Sequence, residues 1–511
     1  MHTDARTLED DSLIQGDLCI VGAGAAGISL AAEWLGRRKR VILLEGGGFS
    51  YDPELQALNR GQSVGDPYQV PLEAARLRYF GGTTGHWAGW CSPMDEVDLM
   101  KREWVPYSGW PFDLNHLIPF YERAQQYVEL GPFAYDIAYY EAQGPDRRRL
   151  PFDSRRIRSK MWQFSPPTRF GSRYRQPLMD SENVHLFTYA NAVEIEANES
   201  VRRAVGLRVK TPNGKSHRVE ARNYVLACGT IQNARLLLSS SNQAAAGLGN
   251  DRDLVGRFFA EHLEMGGAQL VLSEPSAIPL YRHSFGGPRL PSAELGLSVE
   301  MQREHRVLNG TASLRPGTFP AQMRSFFQNF TERDLGQWLR KHDPSDVPAV
   351  PLPLSVEVRR DFRLQCRSEQ APNPDSRVLL SDQTDALGMP QADLHWKLTA
   401  QDKRSIRVMF SELAHEFGRT GLGRVQILDW LLEDDTSWPS FLSGGFHHMG
   451  AVRMHLDSSQ GVVDANCRVH SIANLFVAGA AVFPTSGAPN PTLTLIALTL
   501  RLSDHLKGLS G

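Results

Sequence analysis

Residues 17–47 read "DLCIVGAGAAGISLAAEWLGRRKRVILLEGG", and few architectures accommodate such a stretch. Leu18–Val21 is an unbroken apolar run, the pattern of a parallel strand buried on both faces. Gly22, Gly24 and Gly27 follow as G-x-G-x-x-G and open a helix through Ala25 and Ala26. The first glycine permits the tight turn, the second lets a pyrophosphate approach the backbone, and the third lets helix and strand pack closely. A second strand, Arg40–Leu44, ends at Glu45, the distance at which a carboxylate can hydrogen-bond a ribose diol. Strand, turn, helix and acid together predict a dinucleotide-binding unit, whereas an ordinary glycine-rich turn leaves the placement of Glu45 unexplained.

The fingerprint alone does not separate NAD from FAD. It occurs once, whereas an enzyme passing electrons from a nicotinamide to a flavin would usually carry two. The C-terminal stretch "NLFVAGAAVFPTSGAPNPTLTLIALTLRLSDHL" supplies a second strand, turn and helix. Leu475–Ala478 reads as the strand, Gly479 and Ala480 as a turn that approaches a phosphate, and Pro491 as the first helical residue with Asn490 as its cap. The helix is mostly apolar and therefore buried, so its first turn, with Thr492, turns free N–H groups and a partial positive charge toward a cofactor. Reduced flavin carries negative charge that such a helix end stabilises. FAD is the cofactor expected.

Lys and Arg (55) nearly balance Asp and Glu (57), a net charge of −2, which argues against a broad nucleic-acid-binding face. The five scattered cysteines form no CxxC or CxxCH. No apolar segment is long enough to span a bilayer, and the start of the chain is acidic and polar. A cytoplasmic protein is expected.

The stretch "GFHHMGAVRMH" places His447, His448 and His455 close together. In extended chain His447 and His448 point to opposite faces, and no acid or cysteine stands at ligand spacing, so no metal site is expected. "NAVEIEANESVRRAVGLRVKTPNGKSHRVEARNYVLACG" alternates around a PNGK turn and predicts a β-hairpin leading into a buried strand. "RVLLSDQTDALGMPQADLHWKLTAQDKRSIRVMFSELAHEF" reads as strand, turn, strand and a long amphipathic helix. "HDPSDVPAVPLPLS" reads as an exposed linker.

With "RYFGGTTGHWAGW", "WQFSPPTRFG", "YVLACGTIQNARLLL", "GRFFAEH", "HHMGAVRM" and "GAPNPTLT" in this order, the chain resembles the glucose–methanol–choline (GMC) oxidoreductases, closest to their sugar- and glycoside-oxidising branch. The resemblance implies a pyranose-oxidase-like two-domain fold: an α/β Rossmann-like FAD domain assembled from discontinuous segments, and an α+β substrate domain with an antiparallel sheet. The spans expected are a polar tail at 1–15, an FAD domain at 16–130, 190–262 and 455–511, and a substrate domain at 131–189 and 263–454.

The resemblance also implies roles. His447 matches the family's active-site base and Asn490 its partner. Hydride loss from an alcohol carbon leaves a carbonyl only if the hydroxyl proton also leaves, and an imidazole is suited to accept it. Gly81, Gly82, Thr83, Thr84, His86 and Trp87 are implied to lie along the pyrophosphate and flavin ring, and Ala192, Val193 and Ala227 to contact the cofactor. His86 stands where pyranose oxidase joins its flavin covalently, but Gly85 departs from the threonine expected before it, which favours a non-covalent contact. His448 is expected to be structural, His455 to lie in a turn, and the tryptophans near Trp90, Trp104 and Trp110 to serve loop packing.

The activity expected is oxidation of a ring C3 or C2 hydroxyl of a sugar or glycoside, with electrons passing to O₂, a quinone, an artificial acceptor or a protein. A flavoprotein subunit serving a cytochrome, a GMC-type enzyme for non-sugar alcohols, and a lyase holding FAD structurally are the alternatives.

Overall fold

The computed structural model describes residues 1–68, 70–276, 278–281, 290–317 and 359–509. The expected proline-rich linker, 342–355, lies outside them.

Leu18 to Val21 lack polar alternation because their strand is flanked on both sides. Ser12–Val21 lies between Val41–Leu44 and Ser216–Leu226, all parallel. Val184–Thr188 and then His2–Asp4 extend the sheet one way. The other way, Ser216–Leu226 pairs with antiparallel Ala204–Lys210 and, near its end, with parallel Leu475–Val477; Asn191–Ala197 pairs with Ala204–Lys210 at the edge. The expected hairpin therefore forms, closed by Thr211 N–H donating to the Lys215 carbonyl at 2.9 Å. Helices Ala25–Ala32 and Pro491–Leu509 contact each other beside this sheet, and the residues Leu18–Val21 and Val41–Leu44 are buried.

A second sheet is antiparallel, in the order Gly423–Ile427, Leu263–Ser276, Arg359–Ser368, Gly310–Pro316, Ser292–Leu297, Ile157–Phe164, Trp90–Cys91. The helix Ala400–Arg419 packs against it with Ile406, Met409, Phe410, Leu413 and Phe417 buried. Gly267 makes room for that helix, since a Cβ there would overlap the Phe410 ring. Along Arg359–Ser368 the residues alternate: Phe362, Leu364 and Cys366 enter the core, while Arg363, Gln365 and Arg367 line the central cavity. A hairpin of Arg377–Thr384 and Pro390–Trp396, joined by parallel Ser63–Gly65, makes a third small sheet.

The structure departs from the expected spans in four stretches. Residues 1–15 are no free tail: His2–Asp4 pairs with Leu186–Thr188, Ala5 is fully buried and Ser12 already lies in a strand. Edge strands tolerate polar side chains, so this pairing leaves little apolar trace. Val184–Thr188, expected in the substrate domain, is a parallel strand beside Val41–Leu44. Conversely, Ser63–Gly65 and Trp90–Cys91, expected in the FAD domain, pair with Pro390–Trp396 and Ile157–Phe164.

Candidate active site

The two sheets meet around a cavity of about 710 Å³. One end is built by the first glycine turn. Gly22 has φ of +103°, and a Cβ there would come within 2.7 Å of the Ala227 carbonyl oxygen. Gly27 lies outside the lining, where a Cβ would overlap the Gly22 carbonyl oxygen, so its role is packing of helix on turn. Gly24, Ala25 and Ala26 line the cavity, and Gly24 opens the helix without a side-chain cap. Its first N–H groups are thus suited to an anion. Glu45 lines the same end; its carboxylate accepts from Ala23 N–H at 3.0 Å and Gly47 N–H at 2.9 Å, while burial pushes its pKa up. Ala192 and Ala227 also line the cavity; Val193 does not and packs against the core.

The glycine–aromatic loop crosses the middle. Gly81 N–H donates to the Ala23 carbonyl at 2.8 Å, tying the two turns together, with Gly81 itself off the lining. Gly82, Thr83, Thr84, His86 and Trp87 line the cavity. The "WQFSPPTRFG" segment clamps this loop: Arg169 Nη1 donates to the carbonyls of Thr84 (3.1 Å) and Trp87 (2.8 Å), and Trp87 Nε1 donates to the Thr168 carbonyl. Burial lowers the His86 pKa to about 4, so its ring is neutral. Gly85 has a physical reason, since a Cβ there would overlap the Tyr79 hydroxyl.

At the far end, Gly479, Ala480, Asn490, Pro491 and Thr492 line the cavity, and the helix Pro491–Leu509 starts at the expected proline. The expected Asn490 cap does not form through its oxygen: Oδ1 is buried without a hydrogen-bond partner, and Nδ2 lies 2.9 Å from His447 Nε2. Residues 43 positions apart thereby meet on one wall.

Two segments running side by side position His447. Ala260 and Met449 exchange backbone hydrogen bonds of 3.0 and 2.9 Å, which brings "AEH" alongside "FHHM". The Glu261 carboxyl accepts from His447 N–H at 2.7 Å and from His262 N–H at 2.9 Å. Burial raises the Glu261 pKa to about 8, so it is protonated at neutral pH. His447 is held well below its usual range, first by burial and then by His262, Arg367 and His448; its ring is a neutral base. His448 turns to Tyr68, whose hydroxyl is 2.6 Å from Nε2, and burial pushes its pKa down to about 3. His455 sits in a turn, its Nδ1 accepting from Asp457 N–H.

Sequence reasoning did not single out the charged wall beside His447. Arg315, Arg363, Gln365 and Arg367 line it with Glu264. Arg367 Nε donates to Glu264 at 2.7 Å and its guanidinium stands 5.0 Å from the Trp90 ring centre. The alternation in "RRDFRLQCRS" was the signal that could have found it. Trp87 and Trp90 line the cavity, whereas Trp104 and Trp110 donate to Val307 O and Thr485 Oγ1 as packing residues. Among the described residues no group of three or more metal-ligating side chains gathers, and no helix is long and apolar enough to cross a membrane.

Two family models, both described as GMC oxidoreductase, match the chain at residues 171–264 and 372–499. Paromamine 6'-oxidase of Streptomyces fradiae is 26% identical over 99% of this chain and 94% of its own. C-glycoside 3-oxidase of Microbacterium trichothecenolyticum is 37% identical over a shorter stretch, 25% of this chain and 24% of its own. The solved structure of pyridoxine 4-oxidase from Mesorbium loti superposes with a TM-score of 0.54 at 17% identity, covering 96% of this chain and 99% of that one, a likeness of fold.

Proposed function

We propose that this chain, which belongs to the GMC oxidoreductase family, oxidises a ring hydroxyl of a sugar or glycoside to a ketone, with His447 as the base and Asn490 as its partner. Members of this family are FAD-binding flavoproteins that act on CH–OH donors. The residues present fit FAD: an uncapped helix start behind Gly22 and Gly24, the Glu45 carboxylate nearby, and the orphaned Asn490 Oδ1 at the opposite end. Gly22, Gly24, Ala25, Ala26 and Glu45 would hold the dinucleotide's phosphates and ribose, and Gly82 to Thr84, His86 and Trp87 would flank its ring. Bound there, FAD supplies an acceptor for the hydride that leaves the carbinol carbon.

The chain's own residues handle the proton. Neutral His447 accepts it from the substrate hydroxyl at Nε2, the nitrogen facing Asn490. Asn490 Nδ2, freed from His447 by the arriving hydroxyl, donates to the same oxygen and fixes its direction. A positioned general base contributes roughly 10²–10⁴-fold. The observation that carries the reading is the 2.9 Å approach of His447 Nε2 and Asn490 Nδ2 on the wall of a cavity lined by both glycine turns.

A sugar or glycoside is supported by the C-glycoside 3-oxidase likeness. A ring C3 or C2 hydroxyl is the position proposed, with O₂ or another acceptor taking the electrons. An anaerobic screen of sugars, glycosides and simple alcohols tests this by bleaching of the oxidised-flavin band. Readmission of air then reports reaction with O₂. Bleaching by glycosides supports the reading; bleaching by simple alcohols alone would overturn the substrate class.

A further inference from the structure

His262, which the sequence reading did not single out, is fully buried behind His447 and off the cavity wall. Its Nδ1 lies 2.9 Å from His447 Nδ1, and its Nε2 lies 2.8 Å from the Gly487 carbonyl oxygen. Two facing ring nitrogens bond only if one carries a proton and the other a lone pair. The far end of the chain decides which. A carbonyl oxygen has no proton to give, so His262 Nε2 must be the donor. Burial brings the His262 pKa down to about 4, so at neutral pH the ring has one N–H, already committed to Gly487. Its Nδ1 therefore bears a lone pair, and His447 Nδ1 must carry the proton. His447 is neutral as well, which leaves the lone pair on Nε2. Asn490 meets that lone pair with Nδ2, so the amide orientation is the one this chain of bonds demands.

The groups that face His447 offer no substitute for His262. Glu264 Oε1 is 3.9 Å from His447 Nδ1, beyond hydrogen-bonding range, and is already bonded to Arg367 at 2.7 Å. Glu261 is engaged with the backbone N–H of His447, and His448 faces Tyr68. The Gly487 carbonyl is itself placed by a turn with φ of +59°, where a Cβ would come within 2.8 Å of Asp98 Cγ.

We propose that His262 is a positioning residue: anchored to Gly487, it accepts the His447 Nδ1 proton and so keeps the lone pair of His447 on Nε2, where it faces Asn490 and the substrate. The tautomer of a base is set by what its other nitrogen does. Once His447 has taken the substrate proton, its Nδ1–H to His262 becomes a charge-assisted bond, which stabilises the imidazolium. The inference rests on the reading of His447 as the base.

Two substitutions separate this role from plain packing. In His262→Asn an amide oxygen replaces Nδ1, keeping the acceptor and losing the Gly487 bond. In His262→Gln an amide nitrogen reaches toward Gly487, keeping the anchor and losing the acceptor. With FAD-loaded enzyme under anaerobic conditions, His262→Gln is expected to slow flavin reduction at saturating substrate by roughly 10²–10⁴-fold, the contribution of a correctly positioned general base. His262→Asn is expected to recover most of that loss, and neither to change substrate affinity much.

A second readout needs no turnover. In ¹⁵N-histidine-labelled enzyme, the His447 signal, assigned by its loss in His447→Ala, should show the proton on Nδ1. It should shift toward Nε2 in His262→Gln. A His447 proton on Nε2 in the unsubstituted enzyme, or fast His262→Gln beside slow His262→Asn, would overturn the proposal. Wild-type reduction by His447→Ala would instead overturn His447 as base, a distinct failure because the tautomer is read independently.

Discussion

At the scale of the residue, burial holds the groups around His447 in their neutral forms: Glu261, His262, His448 and His447 itself. Glu261 has its pKa raised from 4.5 to about 8, with burial the largest cause. Between those two values the folded chain binds a proton that the unfolded chain does not, so this group's contribution to stability falls as pH rises through that window. Glu261→Gln keeps a neutral side chain with an acceptor oxygen for the N–H groups of His262 and His447. It should flatten the decline, and thermal midpoints measured across that pH range check it; an unchanged slope would contradict the assignment. His86 gives a second residue-level expectation. Gly85, where a Cβ would overlap the Tyr79 hydroxyl, replaces the threonine expected before His86, so FAD should leave with the supernatant after acid precipitation. Flavin retained in the pellet would mean a covalent bond.

At the scale of the element, position comes from turns and paired segments. Gly445 precedes His447 with no room for a side chain: a Cβ would overlap His447 Nδ1 and come 2.9 Å from Glu264 Oε1. Gly445→Ala should leave FAD bound and displace the imidazole, and misplacement by about 1 Å costs roughly 10²-fold in rate. Stopped-flow reduction beside the flavin content of the purified variant checks this. The same scale explains what was legible. Strand, glycine turn and helix at Leu18–Ala32 are contiguous, so local pattern sufficed, as it did for Pro491 at the head of the last helix. His262 was hidden because its place depends on an antiparallel approach to a segment 185 residues away. No local periodicity reports such a pairing.

At the scale of the whole molecule, the two sheets are interleaved rather than strung in sequence. Ser63–Gly65 and Trp90–Cys91 follow the first sheet's Val41–Leu44 in the chain yet pair with Pro390–Trp396 and Ile157–Phe164, outside that sheet. The sequence announced two kinds of structure but not these exchanges, because short strands of two or three residues have too little pattern to read. A buried ion pair reinforces the junction. Arg102 Nη2 and Glu369 Oε1 are 2.6 Å apart with both side chains wholly buried, and Glu369 also accepts from Asn309 N–H at 3.0 Å. Removing one partner of a buried pair costs about 3–5 kcal/mol, since the other charge is left uncompensated. Arg102→Met should lower stability by that amount in denaturant unfolding, and a change below about 1 kcal/mol, the scale of an exposed pair, would contradict the junction's role.

These scales converge on the wall where His447 and Asn490 meet. The most direct test is the anaerobic rate of flavin reduction by a glycoside substrate in His447→Ala, measured on protein shown to carry FAD. A fall of roughly 10²–10⁴-fold with FAD retained is the expected result. Reduction at a rate near that of the unsubstituted enzyme would contradict the assignment of the substrate proton to His447.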